Sequence, residues 1–103
     1  FALIDSEKTS NDAILGADRQ KFDQLCKKLN IRCHVLQKRA IENYFTERAI
    51  QKVKGSTYKA LAEFESLKNI SPAWSKTENW RIVREMKVEE IAETDIGKFL
   101  RSI

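Results

Sequence analysis

The chain has 103 residues, a net charge of +4, 42% hydrophobic residues and 33% charged residues. This length supports one domain with one core, and the composition is that of an ordinary globular protein. No apolar run approaches the roughly 20 residues that cross a bilayer, and no signal peptide is recognisable. Two cysteines do not make a disulfide framework. We therefore expect a cytoplasmic protein with no membrane partner.

The first seven residues combine an apolar run with two acids. Phe1 to Ile4 predict a strand buried on both faces, as in a parallel sheet. Asp5 and Glu7 follow at its carboxyl end, where open α/β sheets carry their functional groups. Side chains two apart on an extended segment point the same way, so these carboxylates could together hold Mg²⁺. Acids at strand ends also serve as turn formers or helix caps.

The chain starts without methionine, inside this predicted buried strand. A terminal strand of that kind needs neighbours on both edges. We therefore expect the C-terminal portion of a longer protein.

A helix and a second strand follow. Asp18 can cap the helix, Asn30 can close it, and residues 32–36 predict the strand. The helix carries one apolar stripe, formed by Phe22, Leu25, Cys26 and Leu29. Strand, helix and strand make a βαβ unit with parallel strands.

The only histidine, His34, adjoins Cys33 in the second strand. Neighbours on a strand point to opposite faces, and Cys26 is expected in the core of the preceding helix. No second cluster of cysteine and histidine exists, so a zinc site is not predicted.

The next predicted helix runs from about Ile41 to Gly55. Glu42 falls in its first turn, where the helix dipole stabilises a carboxylate. Parallel strands also place Glu42 at the same rim as Asp5 and Glu7. The functional interpretation is therefore an acidic cluster at the carboxyl edge of the sheet.

The remainder of the chain predicts helices. The first predicted helix follows Ser56 and carries Tyr58, Leu61, Phe64 and Leu67, and Ser71-Pro72 is a predicted helix cap. A second helix carries Trp80, Val83 and Met86, and a further helical turn carries Val88 and Ile91. The last predicted helix is capped by Thr94 or Asp95. We therefore predict a single α/β domain with a short parallel sheet, in which residues 1–54 form a βαβα core and residues 55–103 a mostly helical C-terminal region. Its aromatic residues are expected in the core rather than as base-stacking platforms.

The positive charge is local. The segment from Gln37 to Lys59 holds six basic and two acidic residues, which accounts for the whole net charge. Such a stretch suits a phosphate backbone or is simply a solvated helix face. The candidate nucleic-acid contacts are Lys38, Arg39, Arg48, Lys52 and Lys54.

Taken together, these residues resemble the TOPRIM nuclease domain of the OLD family (overcoming lysogenization defect), whose members are ATP-dependent endonucleases with an N-terminal ATPase domain. The family's strand ending in Asp-x-Asp is similar to residues 1–7, with Glu7 in the place of the second Asp. Its basic segment followed by Ile-Glu-Asn-Tyr is similar to residues 38–44, and its ending is similar to residues 93–103.

The resemblance implies cleavage of DNA phosphodiester bonds with Mg²⁺ or Mn²⁺ as cofactor. Asp5, Glu7 and Glu42 would hold the metal, and Lys76 would stabilise charge developing on the phosphate. It also implies an ATPase domain on the same longer chain as a partner, and it leaves a homo-oligomer open. A glutamate on an earlier strand of TOPRIM domains is not in this chain, so we expect the isolated 103 residues to cleave DNA poorly or not at all.

Two other interpretations stay open. The first strand could be the Walker B strand of an ATPase, although no glycine-rich Walker A motif is present. Alternatively, the chain is a non-catalytic DNA-binding or assembly module with a degenerate TOPRIM site.

Overall fold

The computed structural model describes all 103 residues and has a mixed α/β architecture. Its regular elements are β1 (Ala2–Ile4), α1 (Ala17–Lys28), β2 (Cys33–Val35), α2 (Glu47–Lys54), α3 (Asn79–Glu85), α4 (Val88–Ile91) and α5 (Asp95–Arg101). Three single turns of 3₁₀ helix lie at Ile41–Tyr44, Leu67–Asn69 and Lys76–Glu78. None of the helices combines the length and apolar character that a membrane crossing requires.

The two strands form the predicted parallel sheet, with Leu3 opposite His34 and Ile4 opposite Val35. α1 covers one face, where Cys26 meets Cys33. α5 covers the other, where Phe99 stacks on the His34 ring with centroids 5.0 Å apart. The prediction of a βαβ unit is therefore confirmed.

The burial expected for β1 and α1 is wrong. β1 is only half-buried. In α1 only Cys26 is buried, while Phe22, Leu25 and Leu29 are 42–59% exposed. The reason is the width of the sheet: neighbouring strands lie about 4.8 Å apart, so two strands cannot cover the apolar stripe of a three-turn helix.

The helix predicted from Ile41 to Gly55 is broken in two. Ile41–Tyr44 forms a separate 3₁₀ turn, called here the 41–44 turn, and Phe45 then adopts an extended conformation. Thr46 caps α2, its hydroxyl accepting a hydrogen bond from the Ala49 N–H at 3.3 Å. Gly55 ends α2 as predicted, in a conformation (φ 119°) that favours glycine.

No helix follows Ser56, contrary to the sequence-based expectation. Residues 56–66 form an irregular segment, because its carbonyl groups bind distant partners instead of their own helix. Asn43 Nδ2 donates to the carbonyls of Ala62 (2.7 Å) and Glu65 (2.8 Å), and the Arg39 N–H donates to that of Glu63 (2.9 Å). Tertiary hydrogen bonds thus override the helix propensity of this segment.

The C-terminal half has its own core, in which α2 packs against α3. Ile50 and Ile82 are fully buried at its centre. The face predicted for α3 is wrong, since Trp80 and Val83 are 59% and 48% exposed. Ser71-Pro72 begins no helix, but α4 and α5 form where the sequence predicts them, with Thr94 as the cap of α5.

Asn43 supplies a test of the hydrogen bonds that hold the 56–66 segment. It is 4% exposed and also accepts a hydrogen bond from the Ala40 N–H at 3.1 Å. We expect Asn43→Ala to lower the free energy of unfolding by about 3 kcal/mol, because it leaves buried polar groups without partners. Urea denaturation measures the change. Asn69→Ala, at an exposed position, is the control, and an equal loss in both variants would contradict the prediction.

Candidate carboxylate site at the carboxyl edge of the sheet

Asp5 lies directly after β1, at the edge of the sheet where the sequence places it. Its Oδ1 accepts a hydrogen bond from the Ile41 N–H at 3.0 Å, which fixes the carboxylate against the 41–44 turn. Burial raises the pKa of Asp5, and the nearby charges of Glu42 and Glu7 raise it further, against the lowering effects of the Ile41 N–H and Lys76. The folded protein therefore destabilises the ionised form of Asp5.

Ser6 anchors the segment that carries both acids. It is 2% exposed, and its hydroxyl donates to the Lys38 carbonyl at 2.8 Å. The Glu7 N–H donates to the Arg39 carbonyl at 2.8 Å. This buried serine is a structural anchor of the segment that sequence reasoning missed, because nothing in the neighbouring sequence distinguishes it from a turn residue.

Glu7 departs from the extended conformation assumed for it. Its φ of 57° lies in the left-handed region, so the alternation of side chains along a strand does not apply there. The carboxylate contacts Arg39 at 3.4 Å and Arg19 at 3.9 Å.

Glu42 is the most buried acid of the cluster, at 3% exposure. The 41–44 turn carries it inward, where its Oε1 lies 3.2 Å from Lys76 Nζ and its Oε2 3.5 Å from Asn79 Nδ2. The hydrogen bond with Glu42 raises the pKa of Lys76, as do the charges of Glu7 and Asp5. Asn79 is a second support that the sequence did not single out.

All four predicted catalytic residues therefore share one rim, within electrostatic range of one another. As they stand, no three carboxylate, histidine or cysteine side chains are arranged to hold a metal ion. Glu7 is turned towards arginines and Glu42 towards a lysine. A cation that bound here would have to replace these ion pairs.

The predicted nucleic-acid contacts are largely engaged within the molecule. Arg48 pairs with Glu90 at 2.7 Å, Lys54 with Glu78 at 2.7 Å and Lys52 with Glu85 at 3.9 Å. Arg39 binds Glu7, as described above. Lys38 Nζ lies 4.9 Å from the centre of the Tyr44 ring. The C-terminal acids thus neutralise much of the basic segment.

A second polar cluster surrounds Asp95, which the sequence indicated only as a helix cap. Its carboxylate accepts from Tyr44 Oη (2.7 Å) and the Gln37 N–H (3.0 Å), and lies 2.6 Å from His34 Nε2. Burial alone would raise the pKa of Asp95, but the hydrogen bonds from Tyr44, His34 and Gln37 hold it below its usual value. This cluster joins α5 to β2 and to the 41–44 turn.

The cysteines do not form a metal site with His34. His34 faces α5, whereas Cys33 faces Cys26 of α1, where burial and the neighbouring thiol raise the pKa of Cys33 to about 11. A thiol of that pKa is protonated at neutral pH and is a poor metal ligand.

No family model, curated protein or solved structure matches the chain.

Asp5 and Asp95 provide a paired test of these electrostatics, with opposite signs. A raised pKa in the folded state means that ionised Asp5 destabilises the fold as pH rises through that pKa. A lowered pKa means that ionised Asp95 stabilises the fold above its unfolded pKa, and that this stability is lost as pH falls through the folded pKa. At pH 7 without metal we expect Asp5→Asn to raise the melting temperature and Asp95→Asn to lower it.

Both differences from the wild type should shrink on acidification. Thermal denaturation followed by circular dichroism across acid and neutral pH measures them, and each variant is the control for the other. Equal signs for the two variants at pH 7 would contradict the assignment.

Proposed function

We propose that the chain carries the carboxylate site of a metal-dependent endonuclease that hydrolyses phosphodiester bonds in DNA. The observation that supports this most is the position of Glu42, a buried acid held beside the destabilised Asp5 with Lys76 at 3.2 Å. Burying a carboxylate costs free energy, and titratable groups with perturbed pKa values, such as Asp5 and Lys76, are concentrated at functional sites. The resemblance to the TOPRIM domain of the OLD family, carried by residues 1–7 and 38–44, supports the same conclusion.

The donor set suits a hard cation. Asp5, Glu7 and Glu42 offer only carboxylate oxygens, which Mg²⁺ and Mn²⁺ prefer, and His34 is engaged with Asp95. Asp5 keeps Oδ2 for a cation while its Oδ1 stays on the Ile41 N–H. A bound cation would supply Lewis-acid polarisation of a phosphate oxygen and would lower the pKa of the attacking water.

The chain's own residues hold and orient these groups. The Ile41 N–H fixes Asp5, and Asn79 contacts the second oxygen of Glu42. Lys76 is 58% exposed, so its ammonium can leave Glu42 and pair with a substrate phosphate when a cation takes its place. In this role Lys76 offsets the negative charge that develops on the phosphate in the transition state.

The resemblance also extends the proposal to partners. It supports an N-terminal ATPase domain on a longer chain, which would couple ATP turnover to cleavage.

A second candidate is a non-catalytic DNA-binding or assembly module. The observation that favours it is that the cluster is already neutralised, by Lys76 at Glu42 and by Arg39 and Arg19 at Glu7. In such a module these ion pairs are permanent structural contacts. Removing a carboxylate would then change stability without changing any affinity for metal.

Metal titration distinguishes the two candidates. We expect Mn²⁺ and Mg²⁺ to bind the wild type in calorimetry, and Asp5→Asn and Glu42→Gln each to weaken binding roughly tenfold or more, because each removes an oxygen ligand. Glu89→Gln, at an exposed acid without an ion pair, is the matched control. Unchanged metal binding in both site variants would refute the proposed cation site and favour the module.

A further inference from the structure

Trp80 is an exposed aromatic side chain in a molecule that buries its other tryptophan. Trp74 is 4% exposed and its Nε1 donates to Asn79 Oδ1 at 2.9 Å, whereas Trp80 is 59% exposed. The Trp80 indole ring has no hydrogen-bond partner and lies outside the core formed around Ile82.

Two cations accompany the exposed ring. The guanidinium carbons of Arg81 and Arg84 lie over the Trp80 ring, 5.8 Å and 5.4 Å from its centre, so a base that stacks on the ring would displace a guanidinium group towards a phosphate. Neither arginine belongs to an ion pair of the molecule, unlike Arg48 and Lys54 on α2. These two arginines thus combine charge that is available to a phosphate with an adjacent exposed ring, unlike the paired basic residues of α2.

The position of this surface links it to the carboxylate site. α3 begins at Asn79, whose amide contacts Glu42, and the preceding 3₁₀ turn begins at Lys76, whose ammonium contacts Glu42. Trp80 is the next residue after Asn79, and consecutive Cα atoms are about 3.8 Å apart. This places the Trp80 backbone beside a residue that contacts Glu42, with the Trp80 side chain about 100° further around α3 than that of Asn79.

We propose that Trp80, Arg81 and Arg84 form a platform for a single-stranded segment of nucleic acid, with a base stacked on the indole and its flanking phosphates paired with the two guanidinium groups. Exposed aromatic rings interleaved with basic residues are the usual means of holding an unpaired strand. A base pair inside a duplex has both faces covered by its neighbours, so it cannot stack on the ring. The inference rests on the proposed function for the identity of the strand as DNA.

An acidic peptide is the competing occupant, but it fits less well. Its carboxylates could pair with the arginines, but acidic side chains have no ring that could stack on the indole. A second copy of the chain could also cover the Trp80 surface, and self-association of the chain would then quench tryptophan fluorescence without any oligonucleotide.

The test is binding of a short oligothymidylate in EDTA, where the carboxylate site and any cleavage make no contribution. We expect the oligonucleotide to quench tryptophan fluorescence, because Trp80 is exposed while Trp74 is buried. Trp80→Ala should weaken binding roughly 5- to 150-fold, measured by the fluorescence anisotropy of a dye-labelled oligothymidylate because this variant lacks the indole that is quenched. Val83→Ala, at a 48% exposed position of the same helix, should bind like the wild type.

Charge removal tests the phosphate contacts. In the double variant Arg81→Gln/Arg84→Gln, the slope of log affinity against log salt should fall by about 0.7 for each phosphate that is no longer neutralised. Lys21→Gln/Lys68→Gln removes the same charge from exposed lysines without ion pairs, and its slope should match that of the wild type. All four substituted side chains are on the surface, so circular dichroism should show intact folding.

Any one of three results would overturn the platform. The first is equal oligonucleotide affinity in Trp80→Ala and the wild type, and the second is an acidic peptide that competes with the oligonucleotide as strongly in Trp80→Ala as in the wild type. The third is quenching of tryptophan fluorescence by self-association of the chain without DNA. The platform and the nuclease proposal can be refuted independently of each other. Loss of metal binding in Asp5→Asn and Glu42→Gln with no effect of Trp80→Ala refutes the platform alone. Strand binding through Trp80 without any metal binding supports the platform and refutes the proposed cation site.

Discussion

One turn of 3₁₀ helix, Ile41–Tyr44, connects the separate parts of this molecule. With three residues per turn its successive side chains point about 120° apart, so each can reach a different part of the structure. Glu42 meets the start of α3, Asn43 holds the irregular 56–66 segment, and Tyr44 binds Asp95 at the start of α5. The backbone N–H of Ile41 fixes Asp5 beyond β1.

The 41–44 turn also explains why Glu42 lies in the interior beside Asp5. Asn43 and Tyr44 make contacts that stabilise the fold, whereas Glu42 is carried into the interior by the same turn and must be neutralised there by Lys76. Burial raises the pKa of Asp5, so its ionised form is destabilised in the folded state. The stabilising contacts of the turn offset the cost of the carboxylates beside it. This division between structural and electrostatically strained residues is the physical basis for assigning the site to the carboxyl edge of the sheet.

The sequence predicted what depends on local pattern, and it failed where tertiary contacts decide. An apolar run ending at Asp5 and the apolar helix that follows identify the βαβ unit, and parallel strands bring Glu42 to the same rim. The helix expected after Ser56 does not form, because buried Asn43 binds carbonyls nineteen and twenty-two residues further along the chain. No local pattern signals such a contact. For the same reason the partners of the basic residues, such as Glu90 for Arg48, could not be inferred from spacing.

Mn²⁺-induced line broadening in the ¹⁵N–¹H NMR spectrum of the chain would show whether a cation binds at the carboxyl edge of the sheet. A cation held between Asp5 and Glu42 should broaden the amide signals of residues 5–7, 41–43 and 76 at the lowest Mn²⁺ concentrations. The same signals should stay sharp in Glu42→Gln. Broadening that begins instead at the acids of α4 and at Asp95, with residues 5–7 and 41–43 unaffected, would contradict a cation site at the carboxyl edge of the sheet.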